Sequence, residues 1–379
     1  MRLFALLATL SLTLNAATLD PEELRVARVE AELPRLLAPL APISRGTIDQ
    51  HRLAADEQQH TAAITDAGTR LWRHAVARVQ SGDLDDRPLY WNRLLVRREM
   101  KRQAAGYPQA QWQRQVSLDS FERASRGMGD IRFNKGTDLK ILVTGFDPFF
   151  LDRHLNQSNP SGLAALALDG QVLNLDGRTA QVEAAMIPVR FEDFDRGLIE
   201  ALLTPYLEQN RVDMLVTLSM GRRDFDLERF PALNRSAQAP GNRNRLTGAT
   251  REAPLPPRLM DQALTGPQFV EFSLPVATMQ RARGPWKIND NHRVATLERG
   301  EFEPVTLADL TGQTSVSGSG GGYLSNEISY RSLRLRHQLN SGVPTGHIHT
   351  PSIAQYDADT EEAIVAQIRA MLTQAIAAL

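Results

Sequence analysis

Not one of the 379 residues is a cysteine. That excludes a disulfide frame, a thiolate metal site and a cysteine nucleophile together. An excess of charge of either sign is also lacking: 43 basic residues face 44 acidic ones, so no overall field favours nucleic acid or an acidic membrane surface as partner. Small or neutral ligands suit that balance better. Beyond the first 17 residues there is no run of roughly 20 apolar residues, so the mature chain is expected to carry no membrane span. The first 17, MRLFALLATLSLTLNAA, place one arginine before about a dozen mostly apolar residues and end on small ones. This is the layout of a signal peptide, with cleavage expected near Ala16 or Ala17, and it predicts an exported protein, periplasmic or secreted.

What is present divides at about residue 138. Residues 18–137 carry apolar residues at three- and four-residue intervals with charges between, which predicts a helical N-terminal region. Breaks are expected at Pro39, Gly46, Gly82, Pro88 and Pro108. The basic run RREMKR at 97–102 reads as a solvated helix face. From 138 to 379 the texture changes. LKILVTGFDPF, TAQVEAAMIPV, VDMLVTLSM and TGHIHTP read as strands, alternating with helical stretches such as FEDFDRGLIEALLTPYLEQN and DTEEAIVAQIRAMLTQAIAAL. That alternation predicts a three-layer α/β/α domain with a mostly parallel central sheet and helices on both faces. Residues 237–319, rich in Pro, Gly, Asn and Arg, read as a long loop or flap.

The residues with chemistry in them fall near strand ends. Ser325 follows SGSGGGYL and precedes a helix, so its hydroxyl is expected beside unpaired backbone N–H groups at a positive helix end, where an alkoxide or oxyanion is stabilised. The plainer alternative is a helix N-cap. GYLSN lacks the second glycine of a G-x-S-x-G elbow, so an ordinary α/β-hydrolase is not indicated. A serine nucleophile needs a base, and His347 and His349 in GHIHT are the candidates. Two residues apart on a strand they share a face, which would also suit a metal pair, but no third ligand stands at a sensible spacing. Glu228, in MGRRDFDLERF just past a buried strand, is the candidate carboxylate. Its alternative is a surface glutamate paired with Arg222, Arg223 or Arg229.

Taken in order, VTGFDPF with NPS at 159–161, GR at 221–222 with LERF and Asn234, GGYLSN, and IHTP resemble the motifs of the pyroglutamyl peptidase I (pyrrolidone carboxyl peptidase) family over residues 138–379. The resemblance implies Glu228 and His349 as catalytic glutamate and histidine, and it puts Ser325 where the family has its nucleophilic cysteine. It implies that Phe146 and Phe149 sandwich a pyroglutamyl ring, with Tyr323 as a further wall. Phe150 and Leu151 replace two glycines of the family, and residues 18–137 lie outside the resemblance. The implied activity is removal of an N-terminal pyroglutamyl or related acyl-amide group by a Ser-His-Glu triad, without metal or other cofactor. The alternative is an inactive relative that binds a lactam or capped peptide end. A peptide or small lactam is the implied partner, nucleic acid is not, and a homo-oligomer would be in keeping with the family.

Overall fold

The computed structural model describes residues 18–379, so the expected signal peptide lies outside the described residues. Five helices lead: Pro21–Glu32, Ala41–Leu53, Glu57–Gln80, Arg87–Arg102 and Gln111–Ala124. The first starts where Asp20 and Glu23 cap each other's backbone N–H, and the third where Asp56 accepts from Gln59; such caps satisfy donors the helix itself leaves open. Gly46 does not break the chain as the sequence predicted but lies inside Ala41–Leu53. An isolated glycine costs a helix only about 1 kcal/mol, which packing of this helix on its neighbours offsets.

The basic run at 97–102 also corrects its prediction. Arg97 and Arg98 are buried. Arg97 lies between Glu23 and Glu122, Arg98 reaches Glu30, and Lys101 reaches Glu23. The carboxylates come from neighbouring helices, so only the tertiary arrangement makes burial of these cations tolerable.

The central sheet has seven strands in the order Val172–Leu175, Arg178–Ile187, Leu139–Phe146, Met214–Met220, Thr345–Thr350, Phe225–Glu228, Ile288–Asn291. The pairs around Leu139–Phe146 and Met214–Met220 are parallel, while Val172–Leu175 and Phe225–Glu228 run against their neighbours Arg178–Ile187 and Thr345–Thr350. Leu139–Phe146 and Met214–Met220 are largely apolar runs with almost every residue buried, as a covered parallel sheet requires, whereas Thr345–Thr350 and Phe225–Glu228 are equally buried but carry polar side chains. One face packs on Pro160–Leu168, Ala358–Ala375 and the N-terminal helix Glu57–Gln80, in one continuous apolar core. The other packs on Leu198–Leu207 and Leu324–Gln338. The three-layer α/β/α architecture is thus observed.

Two details differ from the sequence reading. The helix expected from Phe191 is interrupted at Gly197, whose φ of 78° is in the left-handed region, giving Phe191–Asp195 and Leu198–Leu207. Residues 237–319 are not wholly a loop: Ile288–Asn291 adds an edge strand to the main sheet, parallel to Phe225–Glu228, and Val294–Thr296, Gly300–Phe302 and Ser315–Ser317 form a small sheet of their own.

Candidate active site

The carboxyl ends of three parallel strands and the far end of one antiparallel strand converge on one spot. Phe146 ends the first strand, Ser219 and Met220 end Met214–Met220, His349 lies near the end of Thr345–Thr350, and Glu228 ends Phe225–Glu228. In open α/β sheets such ends are where ligands bind.

His349 and Glu228 come together. Nδ1 of His349 lies 2.5 Å from Glu228 Oε1. Glu228 is fully buried and His349 nearly so. The other carboxylate oxygen accepts from Asn291 Nδ2 at 2.8 Å; this asparagine ends the edge strand Ile288–Asn291. Arg222 stands 3.7 Å from Glu228 Oε1, whereas Arg229 turns away to Asp290 and Glu271. Glu228 is therefore a buried partner of histidine and not a surface glutamate. With Nδ1–H donated to the carboxylate, Nε2 of His349 is left as the basic nitrogen. Gly221 makes the close approach possible: a Cβ on it would overlap Cβ and Cγ of His349.

Ser325 lies in the first turn of the helix Leu324–Gln338, whose N-cap position is Tyr323. The serine is thus the second residue inside the helix and makes no capping hydrogen bond among the described residues. Its Oγ donates to the Gly320 carbonyl at 3.2 Å, and the ring of His349 borders the same glycine, with Cε1 3.5 Å from where a Gly320 Cβ would stand. Ser325 and His349 therefore flank one bend, but the hydroxyl is turned to the Gly320 carbonyl; among the described residues no hydrogen bond joins the two side chains. The bend is held from outside by Ser236 and Ala237, whose N–H groups donate to the Gly322 carbonyl, and by Asn326, whose side chain exchanges hydrogen bonds with the Ala232 backbone.

A small cavity of about 30 Å³ opens beside Ser325. Phe146, Phe149, Val189, Met220, Tyr323 and Leu324 supply most of its wall, together with Asn159 and Ser219. Phe146, Phe149 and Tyr323 thus line one cavity beside Ser325. Phe146 is buried and stacks on Phe194 at 6.3 Å. Phe149 is half-buried against the exposed Phe150, whose φ of 60° is unusual for a bulky residue. The Tyr323 hydroxyl donates to the Pro240 carbonyl at 2.8 Å, and burial raises its pKa. On the other side of the bend lies a larger, polar groove of about 490 Å³ that includes Arg222, Ser236, Arg293 and Gly322.

The loop bearing Phe146 and Phe149 is fixed from the helical region. Asp147 is buried between Arg93, at 2.9 Å, and Arg126, at 2.7 Å. Arg25 grips Asp152 at 2.6 Å, and Leu151 and Leu155 pack among Val26, Tyr90 and Trp91. Asn242 donates to the Pro148 carbonyl at 2.8 Å. This clamp leaves no local pattern in the chain, because its halves are far apart along it. Among the described residues, no three His, Cys, Asp or Glu side chains are grouped to hold a metal ion.

An α/β sheet with a buried His–Glu pair at its strand ends, beside a helix-start serine and an aromatic cavity, defines the class of molecule. The chain belongs to the PA0049 family: a model of the PA0049 C-terminal domain matches residues 140–264 and 291–354, and one of the N-terminal domain matches 11–122. Protein PA0049 of Pseudomonas aeruginosa, itself described as uncharacterized, is 30% identical over 77% of this chain and 70% of its own length. Pyrrolidone-carboxylate peptidase of Pyrococcus furiosus is more distantly similar, 28% identical over 57% of this chain and 83% of that protein. A solved mutant pyrrolidone carboxyl peptidase from P. furiosus aligns with a TM-score of 0.43 and 21% identity, covering 64% of this chain and 100% of that one. The pyrrolidone carboxyl peptidase from Thermococcus litoralis aligns with a TM-score of 0.39 and 20% identity, over 62% and 93%.

Proposed function

We propose that this protein is an exported peptidase-like hydrolase that removes an N-terminal pyroglutamyl or related acyl-amide group. The observation that carries the reading is the buried 2.5 Å contact between His349 and Glu228, placed across one glycine bend from Ser325 at the wall of an aromatic cavity. A histidine oriented by a carboxylate in this way can act as a general base, and the hydroxyl of Ser325 across the bend is the group it would activate. The distant similarity to pyrrolidone-carboxylate peptidase supports the substrate class.

In this reading Ser325 rotates from the Gly320 carbonyl toward Nε2 of His349 and attacks the acyl carbon as its proton passes to that nitrogen. Glu228 holds the resulting imidazolium. The proton returns to the departing amine, the C–N bond breaks, and a water then cleaves the acyl-serine by the same relay. The first N–H groups of the helix Leu324–Gln338 have no partner within the helix and stand where the oxyanion would form. A flat neutral lactam suits faces like those of Phe146 and Phe149, which bury its apolar area and leave only one donor and one acceptor to satisfy. The cavity as it stands has room for on the order of two water molecules, so a five-membered ring requires its wall to open, and Phe149 is a half-buried aromatic part of that wall. The leaving peptide would occupy the polar groove beyond the bend.

The test is release of the chromophore from a pyroglutamyl-arylamide by purified protein, with labelling of Ser325 by a serine-directed phosphonate. Turnover lost in Ser325→Ala supports the proposal. Lactam binding that never leads to turnover would replace it with a silent binding protein.

A further inference from the structure

Behind the aromatic cavity runs a buried polar chain that the hydrolytic steps do not use. His347 precedes His349 by two residues on the same strand, and its register partner on Met214–Met220 is Thr217. Its Nδ1 lies 2.7 Å from Thr217 Oγ1, and its Nε2 lies 2.8 Å from Ser219 Oγ. His347 and Thr217 are fully buried and Ser219 is 5% exposed. Ser219 is the register partner of His349 and lines the same cavity as Ser325. Polar groups in so apolar a sheet are costly unless each is satisfied, which makes an unspent lone pair among them notable.

The proton positions follow from the partners. Thr217 Oγ1 also lies 3.3 Å from the Gly346 carbonyl, which can only accept. The threonine hydrogen goes there, so Nδ1–H of His347 donates to Thr217, and Nε2 is the acceptor that takes the hydrogen of Ser219. Burial, and then the neighbouring His349, lowers the pKa of His347, so the ring stays neutral as this pattern needs. Ser219 Oγ then offers only lone pairs to the cavity: it can accept an N–H.

No other side chain in that wall is as free to do so. The Asn159 carboxamide oxygen already accepts from the N–H and hydroxyl of Ser161. The Tyr323 hydroxyl is drawn to Pro240, which is not part of the wall. Ser325 is reserved for attack. The remaining side chains there are apolar.

We propose that Ser219 is the specificity-determining acceptor for the N–H of a lactam ring in this cavity, with His347 as the residue that orients it. The inference rests on the reading of the cavity as a lactam site, and it explains why a histidine stands at 347 without being the base or a metal ligand.

The test compares binding of 2-pyrrolidone with that of cyclopentanone, a five-membered ring ketone without the N–H, by NMR titration of the full mature chain carrying Ser325→Ala. The expected result is a roughly tenfold preference for 2-pyrrolidone, the size of one well-formed hydrogen bond. Adding Ser219→Ala brings the two rings to near parity, with folding checked by circular dichroism. His347→Gln, which can still accept from Ser219, keeps more of the preference than His347→Phe. An unchanged preference in Ser219→Ala, or failure of both rings to bind, overturns the assignment. Arylamide turnover by the unmodified chain is scored separately. Parity in Ser219→Ala without turnover keeps Ser219 and sinks the hydrolase, and turnover with unchanged preference does the reverse.

Discussion

At the scale of single residues, the account depends on a few side chains whose neighbours leave little freedom. Glu228→Gln replaces the carboxylate that orients His349 with a group that cannot stabilise an imidazolium. Its kcat should fall by roughly 10²- to 10⁴-fold with little change in KM, measured on a pyroglutamyl-arylamide. Gly221→Ala should do comparable harm by another route, since the added methyl overlaps His349 and displaces the base; a drop in kcat with retained lactam binding would show that. How much of this site the sequence revealed depends on what kind of information each residue carries. Glu228, Ser325 and His349 stood in local motifs and could be singled out. The orientation of the Ser325 hydroxyl could not, because it is a rotamer choice set by the Gly320 carbonyl. Ser219 was hidden in a strand that reads as apolar core, and His347 drew notice only as a spare base or metal ligand. Its partners come from the neighbouring strand, and register is not written in either segment alone.

At the scale of elements, the loop from Phe146 to Asn159 joins the helical region to the cavity. Arg93 and Arg126 meet at Asp147, so a charge on a helix positions a loop of the sheet. Arg93→Met would leave Asp147 buried with Arg126 as its remaining cation, and loss of one charged hydrogen bond costs about 1.5–3 kcal/mol. Thermal or urea unfolding should show that loss, and lactam affinity should drop with it. A variant as stable as the parent would mean that the pair contributes nothing beyond its own desolvation. The helices and inner strands were legible from periodicity, since apolar spacing is a local property. Ile288–Asn291 was not: it is a short, polar edge strand that exists because Phe225–Glu228 offers it a ladder. The burial of Arg97 and Arg98 in the RREMKR run departs from the expected solvated face for a similar reason. Arginine reads as solvent-facing until the carboxylates that neutralise it come from other elements.

At the scale of the whole molecule, the core is continuous from Leu71 and Trp72 in the N-terminal helices to the sheet residues Val143 and Val216. Removing residues 18–137 should therefore expose that apolar surface and yield an aggregating α/β domain, checked by light scattering. A second global property is the response to pH. Asp86 and Glu361 are buried where the helical region, the loop at Ser158 and the last long helix meet. Burial pushes the carboxyl of Glu361 up to about 8, with Asp85 adding and Arg87 and the Ser158 hydroxyl opposing. Burial, then Glu361 and Asp85, also raises Asp86 well above the usual range. A carboxyl with a raised folded pKa makes the folded state hold more protons than the unfolded one, so stability falls as pH rises from the unfolded carboxylate range toward about 8. Midpoints of urea unfolding between pH 5 and 9 should decline for the parent chain and decline less for Glu361→Gln. An identical slope would remove this pair from the account.

The central claim is that a serine hydroxyl, served by His349 and Glu228, cleaves an acyl-amide. The most direct measurement is the rate of pyroglutamyl-arylamide hydrolysis by the purified mature chain beside that of Ser325→Ala. The account predicts turnover by the former and a loss of at least about 10³-fold in the latter. Equal rates in the two, or no turnover in either while the protein is folded and binds the lactam, would contradict it.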